Sequence, residues 1–455
     1  VTRLAIHISD AGITLLNNEQ ITYREPGFAL LGDGSLTTGN EAFSNSRIHP
    51  RGIHHGYWSN LDTTPLADRR FSHLSAADLV SRQLEEIWQK AGAGATELVV
   101  AVPEYMSAQN LGLFLGITNE LKLPVIGLVD AAVAATRREY KNAVPVHIDL
   151  SLHTAMLTRL AQPGMVQTER TELLESCGIV ALYDAWLNTI ANAFVQQSRF
   201  DPLHTAESEQ MLLNRLGGWL REASRQEHVE MELEFAGTSY QAGIESLALI
   251  GTAAPIYQQI ANKLRALFRA EDIPAIQVTD RIARLPGLAD MLKARVGGEV
   301  FVLEPGATAR GALARCRGHS GAESGISLIR KLPWDQSAVD IAQHTDGQSA
   351  AGMPTHLLFG HTAYAIGNSP LVLGSDDSDS ERVIELTAEM PGVSRRHCSL
   401  SRKNGQCVLE DHSRYGTFLN GNRIDGSSVM QVGDSLRIGS PGFEFQLITT
   451  DEQNG

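Results

Sequence analysis

At residue 335 the pattern of this 455-residue chain changes. Up to that point apolar strands alternate with helices that carry an apolar face. Beyond residue 355 only short strand-like runs remain, separated by Gly, Asn and Asp turns. Alternation calls for helices packed on a sheet, whereas helix-free short runs call for sheet packed on sheet. One core cannot satisfy both, and the length independently asks for two or three domains. The stretch between them, DQSAVDIAQHTDGQSAAGMPT (335–355), is polar and rich in small residues, the composition of a linker. The expected organisation is therefore an α/β body over 1–334, a linker over 335–355, an all-β module over 356–449 and a tail over 450–455.

Within the body, RLAIHIS (3–9) and GITLL (12–16) read as a hairpin. SAADLVSRQLEEIWQKAG (75–92) reads as a helix, because Ser75 and Asp78 have capping-box spacing and Val80, Leu84 and Ile87 share a face. ELVVAVP (97–103) reads as a buried strand ended by Pro103. A helix is predicted at 107–121, a strand at 124–129 and an Ala-rich helix at 130–140. Helices are also predicted over 178–199, 205–225, 241–270 and 286–296, with strands at 229–237 and 275–280. Residues 298–314 read as strand, turn and helix. No repeat of fixed period appears.

Composition removes several function classes. A net charge of −14 argues against nucleic acid, whose binding rests on neutralising phosphates. No apolar run approaches the ~20 residues of a membrane helix, so no membrane insertion is expected. The N-terminal residues lack a basic region followed by an apolar core, and the four cysteines form no C-x-x-C pair. Both observations lead to the expectation of a cytoplasmic protein with reduced thiols. His49, His54 and His55 have no carboxylate or cysteine at ligand spacing, so no metal is assigned. No Ser-His-Asp set or paired carboxylates stand out, and no catalytic residue is assigned.

The module carries specific motifs. GVSRRHCSL (392–400), LEDHSRYGTFLNG (409–421) and VGDSLRIGS (432–440) follow one another at spacing that resembles the forkhead-associated (FHA) domain, a β-sandwich that binds phosphothreonine peptides. The resemblance implies that the Ser394 hydroxyl donates to phosphate, that Arg395 pairs with it, and that His397 is structural. Two positions depart from the family. Gly374-Ser375 stands where Gly-Arg is usual, so Ser375 replaces a phosphate-binding arginine, and Tyr415 replaces a peptide-gripping asparagine. Arg396 and Arg414 lie near the same loops and offer compensation. Residues 371–455 hold 8 Lys/Arg against 13 Asp/Glu, so a basic cluster at one end of an acidic module favours an anionic ligand. A phosphate-independent protein contact is the alternative.

The body resembles the actin-like ATPase superfamily, and within it the nucleotide-binding domain of the 70-kDa heat-shock chaperones. LVVAVPEYMSAQNLGLFLGITNELKLPVIGLVDAAVAAT (98–136) carries the clearest match. VHIDLSLHTAMLTRL (146–160), IQVTDRIARLPGLADML (276–292) and LEPGATARGALA (303–314) follow in the family's order. The resemblance implies two lobes of ribonuclease-H-like subdomains around a nucleotide cleft, with glycine-rich loops whose N–H groups approach phosphate. This chain departs at all three loops. His7 stands at the first loop's aspartate and Ser9 at its glycine, with Asp10 a shifted substitute. The second loop keeps Asp149 and Thr154 but replaces its glycines with Ser151, Leu152 and His153. The third reads Thr279-Asp280-Arg281, with Asp280 adding negative charge. The expected protein is a non-catalytic, cofactor-free scaffold, part of a multi-protein complex, that binds partner proteins, one of them bearing phosphothreonine. The alternative is an ATP/Mg-dependent switch of chaperone or filament type.

Overall fold

The computed structural model describes the chain apart from residues 1, 19, 33, 317–325, 342–353, 360–361, 376–381, 387–392, 404, 415, 420–421, 425, 433, 439–442 and 450–455. The N-terminal region is mixed α/β and the C-terminal region is β-rich.

The first lobe is built on the Arg3–His7 strand. It pairs antiparallel with Ile13–Asn17, which pairs antiparallel with Gln20–Glu25. On its other side it pairs parallel with Glu97–Val102, and that strand with Val125–Asp130. The second lobe repeats this order. Val144–Leu150 pairs antiparallel with Thr154–Ala161, then Val166–Glu175, and parallel with Pro274–Val278, then Glu299–Val302. The duplication lies in topology, where no sequence repeat shows it.

Helix Ala76–Ala91 opens with the anticipated Ser75–Asp78 capping box and buries Leu79, Val80, Leu84 and Ile87 against the first sheet. Two Ala-rich helices, Ala131–Ala135 and Ala307–Arg315, fill the space between the lobes with Ala132, Val133, Ala134, Ala309 and Ala312. The first was expected over 130–140, but it stops at Thr136. Its last carbonyls are taken instead by Arg315, whose guanidinium donates to Val133, Ala134 and Thr136. The helix expected over 241–270 starts only at Ser246. Residues Thr238–Glu245 form a strand on His228–Phe235, joined by Ala236 and Gly237 at positive φ. Tyr240, Ala242 and Ile244 alternate toward the core, a period of two that the neighbouring helical residues obscured.

The C-terminal sandwich packs Leu357, Leu373, Leu400, Leu409, Leu436, Phe445 and Leu447 between two sheets. One sheet holds Leu371–Gly374, Val383–Glu385, Cys398–Lys403, Gln406–Asp411 and Ser427–Val429. The other does not end within the module. Its Thr362–Ala365 strand pairs parallel with Glu299–Val302 of the second lobe, Val300 opposite Thr362 and Val302 opposite Tyr364. Twelve described strands thus run as one sheet from lobe to module. The segment expected as linker is tied down at its start. Arg137 binds Asp335 at 2.6 Å, Arg138 binds Gln336 at 2.7 Å, and Val339–Asp340 pairs with Tyr140–Lys141. The module is joined to the body by backbone hydrogen bonds as well as by the connecting chain.

Cys398 lies opposite Asp411 and Cys407 opposite Arg402, and all four cysteines are buried free thiols. Among the described residues no helix is long and apolar enough to cross a membrane, and no group of three or more His, Cys, Asp or Glu is placed to hold a metal ion.

Candidate functional site

Two sites were expected, and the first is the cleft between the lobes. The Ser9–Gly12 turn enters from the first lobe; the Ser151–His153 turn and Thr279–Arg281 enter from the second. In a phosphate loop the backbone N–H groups point outward, free for the anion. In the Ser151–Thr154 turn each has an internal partner. Leu152 N–H donates to Asp10 Oδ1 at 2.8 Å; His153 and Thr154 N–H donate to Ser151 Oγ at 3.3 and 2.9 Å; Ser151 N–H donates to the Thr154 carbonyl at 2.9 Å. Leu152 is buried beside Phe28 and Ala42, and His153 stacks on His55 with ring nitrogens 2.9 Å apart.

The centre of the cleft holds an arginine. Arg281 donates to Ser9 Oγ at 2.7 Å and to Asp149 Oδ1 at 3.3 Å, bridging the lobes. His7 Nε2 lies 3.9 Å from Asp149 Oδ2. Asp280 faces Arg24, whose Nη2 is 2.9 Å from both its oxygens. The space left among His7, Arg24, Asp280, Arg281 and Glu304 is a cavity of about 20 Å³. That is room for roughly one water molecule.

Burial dominates the charges here. It pushes His7 and His147 down to about 4, so both stay neutral, and pushes the Asp10 carboxyl up to about 7. Burial is the largest influence on Asp149 and opposes its ionisation, but Arg281, the two histidines and the Leu150 N–H together outweigh it and hold that carboxyl below its ordinary range. A carboxyl raised by folding keeps its proton where the unfolded chain has lost it. Asp10 therefore favours the fold below about pH 4, and that contribution disappears as pH rises to about 7. Asp10→Asn, which mimics the protonated group, is expected to match wild type in urea unfolding at pH 4 and to exceed it by about 2–4 kcal/mol at pH 8. Equal stabilities at both pH values would show that Asp10 is not held protonated.

The second site lies on the module's loops. The Ser394 hydroxyl accepts from Arg414 N–H at 3.2 Å, which leaves its own proton without an acceptor among the described residues. Its carbonyl accepts from Ser375 N–H at 3.0 Å, and its N–H donates to His397 Nδ1 at 3.1 Å. Because Nδ1 accepts, the proton of the neutral ring sits on Nε2, 3.3 Å from the Gly416 carbonyl. Burial lowers the His397 pKa and keeps the ring neutral. His397 thus locks two loops together from beneath, as its structural role requires. Arg395, Arg396 and Arg414 are exposed above them, and neither Arg395 nor Arg414 makes a side-chain ion pair among the described residues. Tyr415 lies outside the described residues.

The expected residues therefore fall into two real clusters: His7, Asp10, Asp149, Ser151, His153, Thr154 and Asp280 around the cleft, and Ser375, Ser394, Arg395, Arg396 and Arg414 on the module. Sequence reasoning placed Arg281 in the third loop without a role and did not place Arg24 in the cleft. An arginine standing in a position that favours small residues was the available signal for Arg281; Arg24 carries none.

No curated protein matches the chain. Residues 371–439 match the FHA domain family. The match spans the strand ending at Gly374, the Ser394 loop and the Gly416 turn, so the loops described above belong to an FHA domain.

Proposed function

We propose that this protein is a non-catalytic adaptor whose FHA domain binds a phosphothreonine-bearing partner protein. The observation that carries the reading is the Ser394 hydroxyl, which accepts from Arg414 N–H and so keeps its own proton to donate, beside the exposed guanidiniums of Arg395 and Arg414. A dianionic phosphate matches that set of donors, and charge-assisted bonds of this kind are the strong ones. Ser375 contributes only a short polar side chain where an arginine is usual, so Arg395 and Arg414 supply the charge.

We further read the N-terminal region as an actin-like, chaperone-like body that no longer takes ATP. The strand order repeated in both lobes supports the fold reading. The internally bonded N–H groups of Ser151–Thr154 and Arg281 at the centre support the loss of nucleotide. The body then offers surface to a second protein, and one chain joins two partners in an assembly.

The test is titration of the full-length chain with phosphothreonine peptide pools and their unphosphorylated counterparts. Phosphate-dependent binding is expected, weakened by one to two decades in Arg395→Ala, the equivalent of about 1.5–3 kcal/mol. Equal affinity for both peptide forms would replace the phosphate reading with a phosphate-independent contact. In the same instrument ATP with Mg²⁺ is expected to give no saturable heat; micromolar binding with turnover would establish the switch instead.

A further inference from the structure

The body and the recognition loops are joined through a largely buried carboxylate at the edge of the cleft. Glu304, just after the Glu299–Val302 strand, receives Arg310 at 3.0 Å and Arg137 at 3.6 Å from the body, and Arg382 at 3.3 Å from the FHA domain. Burial opposes its ionisation, but the surrounding arginines hold its carboxyl below the usual range. Arg382 is itself buried. It donates to the Ser369 carbonyl at 2.6 Å and to the Ala365 carbonyl, so its guanidinium is fixed on both sides.

From Arg382 a short backbone path leads to the phosphate loops. The Arg382 carbonyl accepts from Val372 N–H at 2.8 Å, and Val383–Glu385 pairs with Val372–Gly374. The Leu373 carbonyl accepts from His397 N–H at 2.8 Å, and Ser375 N–H donates to the Ser394 carbonyl. At the far end of Val383–Glu385, Glu385 is held by Arg225 and lies 3.7 Å from Arg221, both on the body. Val383–Glu385, which pairs with the strand beneath the recognition loops, is therefore gripped by the body at both ends.

We propose that Glu304 and Arg225 are positioning residues for phosphothreonine recognition: body residues that set the geometry of Ser394 and Arg395 without touching the ligand. This rests on the FHA domain binding phosphothreonine in the full chain. A positioned loop binds better because less ordering is left for the ligand to drive.

The experiment measures Kd of the full-length protein for the best phosphothreonine peptide from the titration above. Glu304→Gln is expected to raise Kd about tenfold, Glu304→Asp to recover most of that loss, and Arg225→Ala to raise Kd at least threefold. Glu97→Gln, which breaks the remote Arg3–Glu97 pair, is expected to leave Kd unchanged. Amide exchange at Leu373, Ser375 and His397 is expected to quicken in Glu304→Gln and Arg225→Ala, a response that a general loss of stability at Glu97 does not reproduce. Should Glu304→Gln not fold, Arg225→Ala decides, since its pair is partly exposed. Wild-type Kd in the folded variants overturns the positioning role and leaves phosphopeptide binding standing. Absence of binding by the wild-type chain removes both together.

Discussion

Arg281→Met is expected to destabilise the body by about 3–5 kcal/mol, read as a loss in chemical unfolding at pH 7. The reason is the company Arg281 keeps. Asp149 is buried, and its other polar neighbours, His7 and His147, are held neutral with pKa values of about 4. Without the guanidinium, Asp149 keeps its charge in a site with no cation against it, or binds a proton and loses the pair. Either route is costly, whereas a pair removed whole is not. The double variant Arg281→Met, Asp149→Asn is therefore expected to recover much of the loss, and the two substitutions should be strongly non-additive. The penalty should also shrink toward acidic pH, where Asp149 takes up a proton and the missing cation no longer matters. Additive losses with no pH dependence would mean that Arg281 merely fills space.

That expectation shows where the sequence was legible. Strand and helix order in the body followed from apolar period and caps, because Ser75–Asp78 and the faces around Val80 and Leu84 are local signals. The module followed from motifs whose residues serve one another across a few strands, as Ser394, His397 and Gly416 do. The absence of glycine from the Ser151–His153 turn was also visible. The pairs that fill the cleft around that turn were not. Arg281 reaches Ser9 across 272 positions and Arg24 reaches Asp280 across 256, and no local pattern announces such pairs. The short helix ending at Thr136 depends on Arg315, 179 positions away. The same limit hid the joining of module to body: Val300 meets Thr362 only because the intervening segment returns to the open edge of the second sheet. An unpaired strand edge is a standing invitation to another strand, and this chain closes it with its own module.

Gly374→Ala is expected to lower phosphothreonine-peptide affinity by more than about 100-fold while leaving the unfolding of the body unchanged. A Cβ at this position would lie 1.7 Å from the Arg395 carbonyl oxygen and 2.6 Å from its carbon. The recognition loop must then retreat by more than about 1 Å to reach ordinary contact distance. The strand beneath it cannot yield instead. Leu371–Gly374 is hydrogen-bonded to Val383–Glu385 on one side and Cys398–Lys403 on the other, and the first of these is anchored to the body. Retreat of the loop breaks the bond from Ser375 N–H to Ser394 and displaces Ser394 and Arg395 together. Two charge-assisted contacts at about 1.5–3 kcal/mol each correspond to well over two decades in Kd. Gly218→Ala is the matched control, since nothing lies within 4 Å of its Cβ and alanine suits its helix. It should bind the peptide as wild type does. Undiminished binding by Gly374→Ala would mean that the ligand is not read by the loop that Ser394 and Arg395 occupy, and the recognition surface would have to lie elsewhere on the domain.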